Sequence, residues 1–250
     1  MLRFLHLYPE HMNLYGDRGN VLALAQRAKW RGIPVEIVHA GPGQAIEWSM
    51  VHLVFLGGGE DVHQARIAND FYSRRQDLTV ALTEGLPMLA ICGGFQLLGH
   101  YYRPQAGQDL PGIGFLDVTT EAGPSRAIGD VVSDTTLDLH PGTLVGFENH
   151  SGQTYLGSGV APLGRVRWGH GNNGRDGTEG AVRQHVIGTY LHGSLLPKNP
   201  HLTDLLLSWA LERAGEVVPL PPLDDQPEWM AHQVIVARQK QPAMSGVRLT

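Results

Sequence analysis

Apolar and polar positions along the first hundred residues alternate between two periods. A short apolar-rich run at 2–8 predicts a strand. Residues 17–31 carry Val21, Leu22, Leu24, Ala25 and Ala28 at the spacing of one helix face, and Gly32 follows as a stop. Residues 35–39 predict a second strand. The run VHLVFL at 51–56 is almost wholly apolar, as expected of a strand covered on both faces in a parallel sheet. A helix over 64–84, a buried strand PMLAI at 87–91 and a helix from Cys92 to about Gly99 complete this part. Strand–helix alternation of this kind predicts an α/β fold, a mostly parallel central sheet flanked by helices, with its site at the carboxyl ends of the strands.

Further along the pattern changes. Residues 113–186 are richer in glycine and β-formers and predict short strands and hairpins. The stretch GHGNNGRDGTEG at 169–180 predicts a long loop. A last strand at 186–190 precedes His192, and 202–214 predicts an amphipathic helix. Residues 217–228 hold four prolines and are expected to wrap the surface, with a polar, frayed tail from about 237.

Composition narrows the function classes. The chain has 250 residues, 42% of them hydrophobic, enough for one large or two small domains. A net charge of −5 offers no electrostatic case for nucleic acid. No window approaches the roughly 18 apolar residues of a membrane span, so an integral membrane protein is not expected. The apolar run at the N-terminus is too short for a signal peptide. A single cysteine, Cys92, excludes an internal disulfide and a multi-thiolate zinc site, and fits a reducing, cytoplasmic setting.

Candidate chemistry centres on ICGGFQLLG at 91–99. There a buried strand ends, one residue turns sharply and a helix begins. A cysteine at that turn sits at a helix N-terminus, whose free N–H groups and partial positive charge favour a thiolate. The Gly93 N–H lies beside the place where an oxyanion would form. The plain alternative is a buried cysteine beside a glycine turn. A thiolate nucleophile needs an acid–base partner, most often histidine. Of 13 histidines, His192 stands out at a strand end in GTYLHG; His150 in GFENHSG is the main competitor, and His63 and His170 are weaker. The glycines at 57–59 form either a plain turn or the second wall of an oxyanion hole. No nucleotide-binding glycine loop is present, which argues against ATP or a dinucleotide on this chain.

Taken together, GGGED, ICGGFQLLG and GTYLHG resemble the class I glutamine amidotransferases, in their cobyric-acid-synthase-like branch. The segments YGDRGN, RAIGD, GFENHSGQTYLG and GTYLHGSLLPKNP are most similar to the glutaminase subunits of lipid II isoglutaminyl synthases, over roughly residues 2–215. The resemblance implies a flavodoxin-like amidotransferase domain over 1–215, with a Pro-rich extension and polar tail over 216–250. It implies that Cys92 attacks the glutamine amide and that Gly93 with Gly58 or Gly59 holds the oxyanion. His192 would protonate the leaving ammonia, Gln96 would help hold the substrate, and Arg126 would pair with its α-carboxylate. It implies no metal or cofactor here. ATP and Mg²⁺ are expected on a Mur-ligase-like (MurT-type) partner that receives the ammonia and amidates the D-glutamate of the lipid II stem peptide.

One position departs from the family. Typical members carry Glu two residues after the histidine, and this chain has Ser194. The third acid is therefore expected from the partner subunit, with Asp17 and Glu148 as the in-chain candidates. Three other readings stand beside this one. The first is the glutaminase part of a cobyrinate or cobyric acid amidase; those usually carry a fused N-terminal ATP domain, whereas this chain starts at the first predicted strand. The second is a non-catalytic glutamine-binding regulatory module. The third is a Cys-dependent hydrolase on the same sheet.

Overall fold

The computed structural model of the chain describes residues 1–192 and 195–239. Its first sheet is built from β1 (Leu2–Leu7), β2 (Val35–Ala40), β3 (Leu53–Leu56), β4 (Met88–Ile91), β11 (Ala181–Arg183) and β12 (Val186–Thr189). The spatial order is β11-β12-β4-β3-β1-β2, and every pairing is parallel except β11 with β12. β3 and β4 are buried along their whole length, which is why they read as unbroken apolar runs.

The helices are α1 (Arg18–Trp30), α2 (Asp61–Ser73), α3 (Arg75–Thr83), α4 (Gly93–Leu98), α5 (Pro200–Arg213) and α6 (Gln226–Arg238). The single helix expected over 64–84 is two, parted at Arg74. There the guanidinium turns inward to Asp70 at 2.9 Å, the Tyr8 hydroxyl at 3.1 Å and the Gln44 carbonyl at 2.8 Å.

The second sheet holds β5 (Tyr101–Arg103), β6 (Leu110–Pro111), β7 (Val118–Thr135), β8 (Thr143–Leu156), β9 (Gly164–Trp168) and β10 (Thr178–Glu179). Here the expectation of short strands fails. β7 and β8 are 18 and 14 residues long and form one antiparallel ribbon. Glycines and Pro124, which read as breaks, lie inside this ladder. Pro124 cannot donate to it and sits where the register shifts between Ala122 and Ala127. Gly146 lets β8 approach Leu191, since a Cβ there would meet the Leu191 Cβ at 2.7 Å. The same strand touches the first sheet, where Phe147 and His192 exchange backbone hydrogen bonds of 3.2 and 2.8 Å.

The segment after 215 also departs from expectation. It runs extended through the prolines into α6, which packs on the β7–β8 ribbon, and the polar tail expected from about 237 lies outside the described residues beyond 239. Ile235 joins Val132 and Val145 in a small apolar cluster, and His232 bonds the Thr143 hydroxyl and the Lys198 carbonyl, each at 2.9 Å. Only His232 and Ile235 of this helix are buried, too narrow a stripe to show in the sequence. No described helix is long and apolar enough to cross a membrane.

Candidate active site

Cys92 forms the turn between β4 and α4 with φ 50° and ψ −106°, a left-handed conformation that a side-chain-bearing residue adopts only under constraint. Two bonds hold it: its N–H donates to the Thr189 carbonyl at 2.8 Å, and its carbonyl accepts from the Gln96 N–H at 2.9 Å. Gly94 makes the turn feasible, because a Cβ there would strike the Leu56 carbonyl oxygen at 2.7 Å. Cys92 opens on a cavity of about 400 Å³ lined also by Tyr15, Gln64, Gln96, Arg126 and His150.

His192 is fully buried beside it. Its Nδ1 lies 3.2 Å from Oδ1 of Asp17, which assigns the proton to Nδ1 and leaves Nε2 with no oxygen or nitrogen partner among the described residues. Burial alone would lower the imidazole's pKa. The negative charges of Cys92 and Asp17 outweigh burial and push it up to about 10. The ring therefore carries a proton that it can give up toward the sulfur side of the site.

Asp17 stands at the N-cap position of α1, after a tight turn over Leu14–Gly16, but its side chain makes no capping bond to the helix. Its second oxygen accepts the Gly58 N–H at 2.7 Å. This corrects one expectation: the Gly58 N–H is committed to Asp17, so Gly58 does not serve as an oxyanion donor in this arrangement. The N–H groups of Gly59 and Gly93 have no acceptor among the described residues and are left for that purpose. Gly58 instead acts as a spacer. A Cβ on it would lie 2.6 Å from His192 Cε1 and 3.3 Å from both Asp17 Oδ2 and the Cys92 Cβ.

The two in-chain acids separate cleanly. Asp17 meets His192, whereas Glu148 faces the other way. Glu148 is buried and accepts the His170 N–H at 2.8 Å, His170 Nδ1 at 2.7 Å and the Gly171 N–H at 2.9 Å. Burial pushes its carboxyl up, but His150 and His170 outweigh that and hold it below the usual range. With Asp17 behind His192, the imidazole has a carboxylate within this chain, against the expectation that a partner subunit supplies it. Ser194 lies outside the described residues.

Gln96 is buried and already engaged: its Nε2 donates to the Tyr190 hydroxyl at 3.1 Å and its Oε1 accepts from Gln64 at 3.1 Å. Arg126 projects from the β7 bulge at the cavity mouth, where Asn149 Oδ1 accepts its Nε at 2.7 Å. One terminal nitrogen also reaches the Asn149 carbonyl at 3.5 Å, so Asn149 holds the guanidinium on the cavity wall. His150, the competitor to His192, stacks on Tyr190 with ring centroids 3.6 Å apart and does not meet Asp17.

Three residues of the site escape any reading of local pattern: Tyr15 and Gln64 on the cavity wall, and Tyr190 behind it against Gln96 and His150. Gln64 and Tyr190 sit in ordinary helix and strand-end sequence. Tyr15, at φ 51°, sets its ring edge-on to His192 with centroids 5.2 Å apart. Its only signal is its place in YGDRGN, two residues before Asp17.

A thiol, an imidazole and a carboxylate gathered over the carboxyl edge of a parallel sheet define an amidohydrolase of the cysteine–histidine class. Residues 3–200 match the CobB/CobQ-like glutamine amidotransferase domain, and the chain belongs to that family. It is 42% identical over 241 residues to the lipid II isoglutaminyl synthase (glutamine-hydrolyzing) subunit GatD of Staphylococcus aureus strain N315, covering 95% of this chain and 96% of that one. Identity to the subunit of the same name from Streptococcus pneumoniae is 36%, over 90% of this chain and 86% of that one. A cobyric acid synthase from Pelotomaculum thermopropionicum is 38% identical, but over 54% of this chain and 28% of that protein. Among solved structures, a glutamine amidotransferase from Thermotoga maritima superposes with a TM-score of 0.55 at 16% identity, covering 94% of each chain. At that identity the likeness speaks for the fold alone.

Proposed function

We propose that this chain is the glutaminase subunit of a lipid II isoglutaminyl synthase. The observation that carries the chemistry is the line that runs from Cys92, on the wall of the 400 Å³ cavity, back through the buried His192 to Asp17. The Cys92 sulfur attacks the side-chain amide carbon of glutamine. The developing oxyanion is held by the N–H groups of Gly93 and Gly59. The His192 imidazolium protonates the amide nitrogen, the C–N bond breaks, and ammonia leaves. Asp17 holds the ring in the tautomer that this requires. Water, deprotonated by the now neutral His192, then attacks the γ-glutamyl thioester, giving glutamate and restoring the thiol. Arg126 takes the α-carboxylate of glutamine at the mouth.

The substrate context follows the GatD relatives, which match this chain nearly end to end. Ammonia passes to a Mur-ligase-like subunit in the cytoplasm, which uses ATP and Mg²⁺ to activate the α-carboxyl of D-glutamate in the lipid II stem peptide. Glutamate release by the purified chain, alone and with that synthetase and lipid II, tests both levels. Glutamine hydrolysis abolished by Cys92→Ala, with amidated lipid II formed only in the complex, is the expected result. Undiminished hydrolysis by the Cys92→Ala variant would overturn the reading.

A further inference from the structure

Glu179 is fully buried, forms no ion pair among the described residues and takes no part in the mechanism above. It sits at the end of the glycine-rich stretch 169–180, which is not a loose loop. Asn172 bridges it from within, donating to the Thr178 hydroxyl at 3.0 Å and the Gly180 carbonyl at 2.9 Å and accepting the Gly180 N–H at 2.8 Å. Asn173 ties the same stretch to β8 through the Thr154 carbonyl at 3.0 Å. The braced strand β10 inserts the Glu179 carboxyl beneath the end of β12.

One oxygen does all the bonding. Glu179 Oε1 accepts the Thr189 hydroxyl at 2.5 Å and the Tyr190 N–H at 2.9 Å, while Oε2 has no partner among the described residues. Thr189 in turn accepts the Leu191 N–H on its Oγ1 at 3.1 Å, and its carbonyl receives the Cys92 N–H at 2.8 Å. Three residues further on is His192. A single carboxylate oxygen thus pins the strand end from which the nucleophile's backbone and the imidazole are both suspended.

We propose that Glu179 is a positioning residue for the Cys92–His192 pair, acting in its ionised form through Thr189 and Tyr190. Two donors converging on one oxygen are served best by a full negative charge. Protonation removes that charge and weakens both bonds at the strand end. Glutamine would likewise offer a neutral oxygen in place of the charged one. Burial pushes the Glu179 carboxyl up to about 7, and Glu148, facing it from β8, adds to the rise. The state that holds the strand end is therefore lost just below neutral pH.

The proposal rests on Cys92 and His192 being the reacting pair, and its test reads that pair without glutamine. Cys92 is the sole cysteine, so iodoacetamide alkylation of the intact chain reports its thiolate alone. In Glu179→Gln, alkylation at pH 7.5 is expected to slow by roughly five- to ten-fold, and kcat for glutamine by a similar factor with KM little changed. The unaltered protein's rate–pH profile is expected to show an inflection near pH 7 that this variant lacks. If the variant does not fold, Thr189→Val removes the hydroxyl donor and carries the same readouts. A folded variant with unaltered rate and profile would overturn the proposal. So would one that merely melts earlier with the inflection intact. Should the unaltered chain alkylate as described yet fail to hydrolyse glutamine, the functional reading falls and the positioning role stands.

Discussion

His192 Nδ1 and Asp17 Oδ1 lie 3.2 Å apart although 175 residues separate them in the chain. The turn after β1 carries the acid and the end of β12 carries the imidazole, and both meet over the sheet edge. Asp17→Asn keeps an oxygen for one partner but removes the charge that fixes the tautomer. Glutamine kcat is expected to fall by about 10²–10⁴, with KM affected far less. The same loss should appear with the synthetase present. An acid supplied by a partner would instead leave this variant nearly as active as the unaltered protein in the complex.

The raised pKa of His192 links the site to stability. Its ordinary value is 6.5, and the Cys92 and Asp17 charges, against the lowering effect of burial, carry it to about 10 in the folded chain. The folded state therefore binds the proton more tightly than the unfolded state. That contribution is full below pH 6.5, declines as pH rises and is gone above about 10. The melting temperature should fall across this window, and fall less steeply in Cys92→Ser, which removes the charge contributing most to the rise. Equal slopes in the two proteins would refute the linkage.

How much of this was legible in the sequence depended on range. The interior strands β3 and β4 and the elbow at Cys92 are local patterns, and the parallel sheet follows from them. Position at a strand end was enough to favour His192 over His150. Asp17 could be named only as one of two acids, because nothing local distinguishes a capping aspartate from one that reaches a distant imidazole. Glu148 was an equal candidate until the second sheet turned it toward His170. The length of β7 and β8 was hidden because close approach demanded glycine where strand propensity would not choose it. The helix α6 was hidden because its contact with the sheet is narrow.

Gly58 is the spacer of the site, so a single methyl group should disable it. A Cβ there would stand 2.6 Å from His192 Cε1, closer than any real contact allows, so the ring must shift and with it the 3.2 Å contact to Asp17. Gly58→Ala is expected to lower glutamine turnover by at least about 10² while the far-ultraviolet circular dichroism stays unchanged. Gly43→Ala is the matched control for a glycine substitution remote from the site, since its Cβ would meet nothing within 4 Å. Its φ of 74° should cost some stability but no activity. Retained turnover in Gly58→Ala would show that His192 is not held where the structure has it.

The segment beyond residue 215 should prove to be part of the fold rather than an appendage. Arg27 on α1 is 3% exposed and binds two carboxylates, Asp204 on α5 at 2.7 Å and Asp225 at the head of α6 at 2.5 Å. Arg31 also reaches Asp204 at 2.7 Å, so Arg27→Ala leaves that acid with a partner and strips Asp225 of its cation. Removing one side of such a partly buried cluster typically costs about 3 kcal/mol. Urea unfolding of Arg27→Ala should show a loss of that order. Asp225→Asn, which leaves Arg27 paired with Asp204, should lose less. The Cys92 alkylation rate under native conditions should be unchanged in both, because the clasp lies on the far side of α1 from Asp17 in sequence and touches no residue of the cavity. A loss well under about 1 kcal/mol in Arg27→Ala would mean that this ion cluster does not fasten the C-terminal segment to the sheet domain.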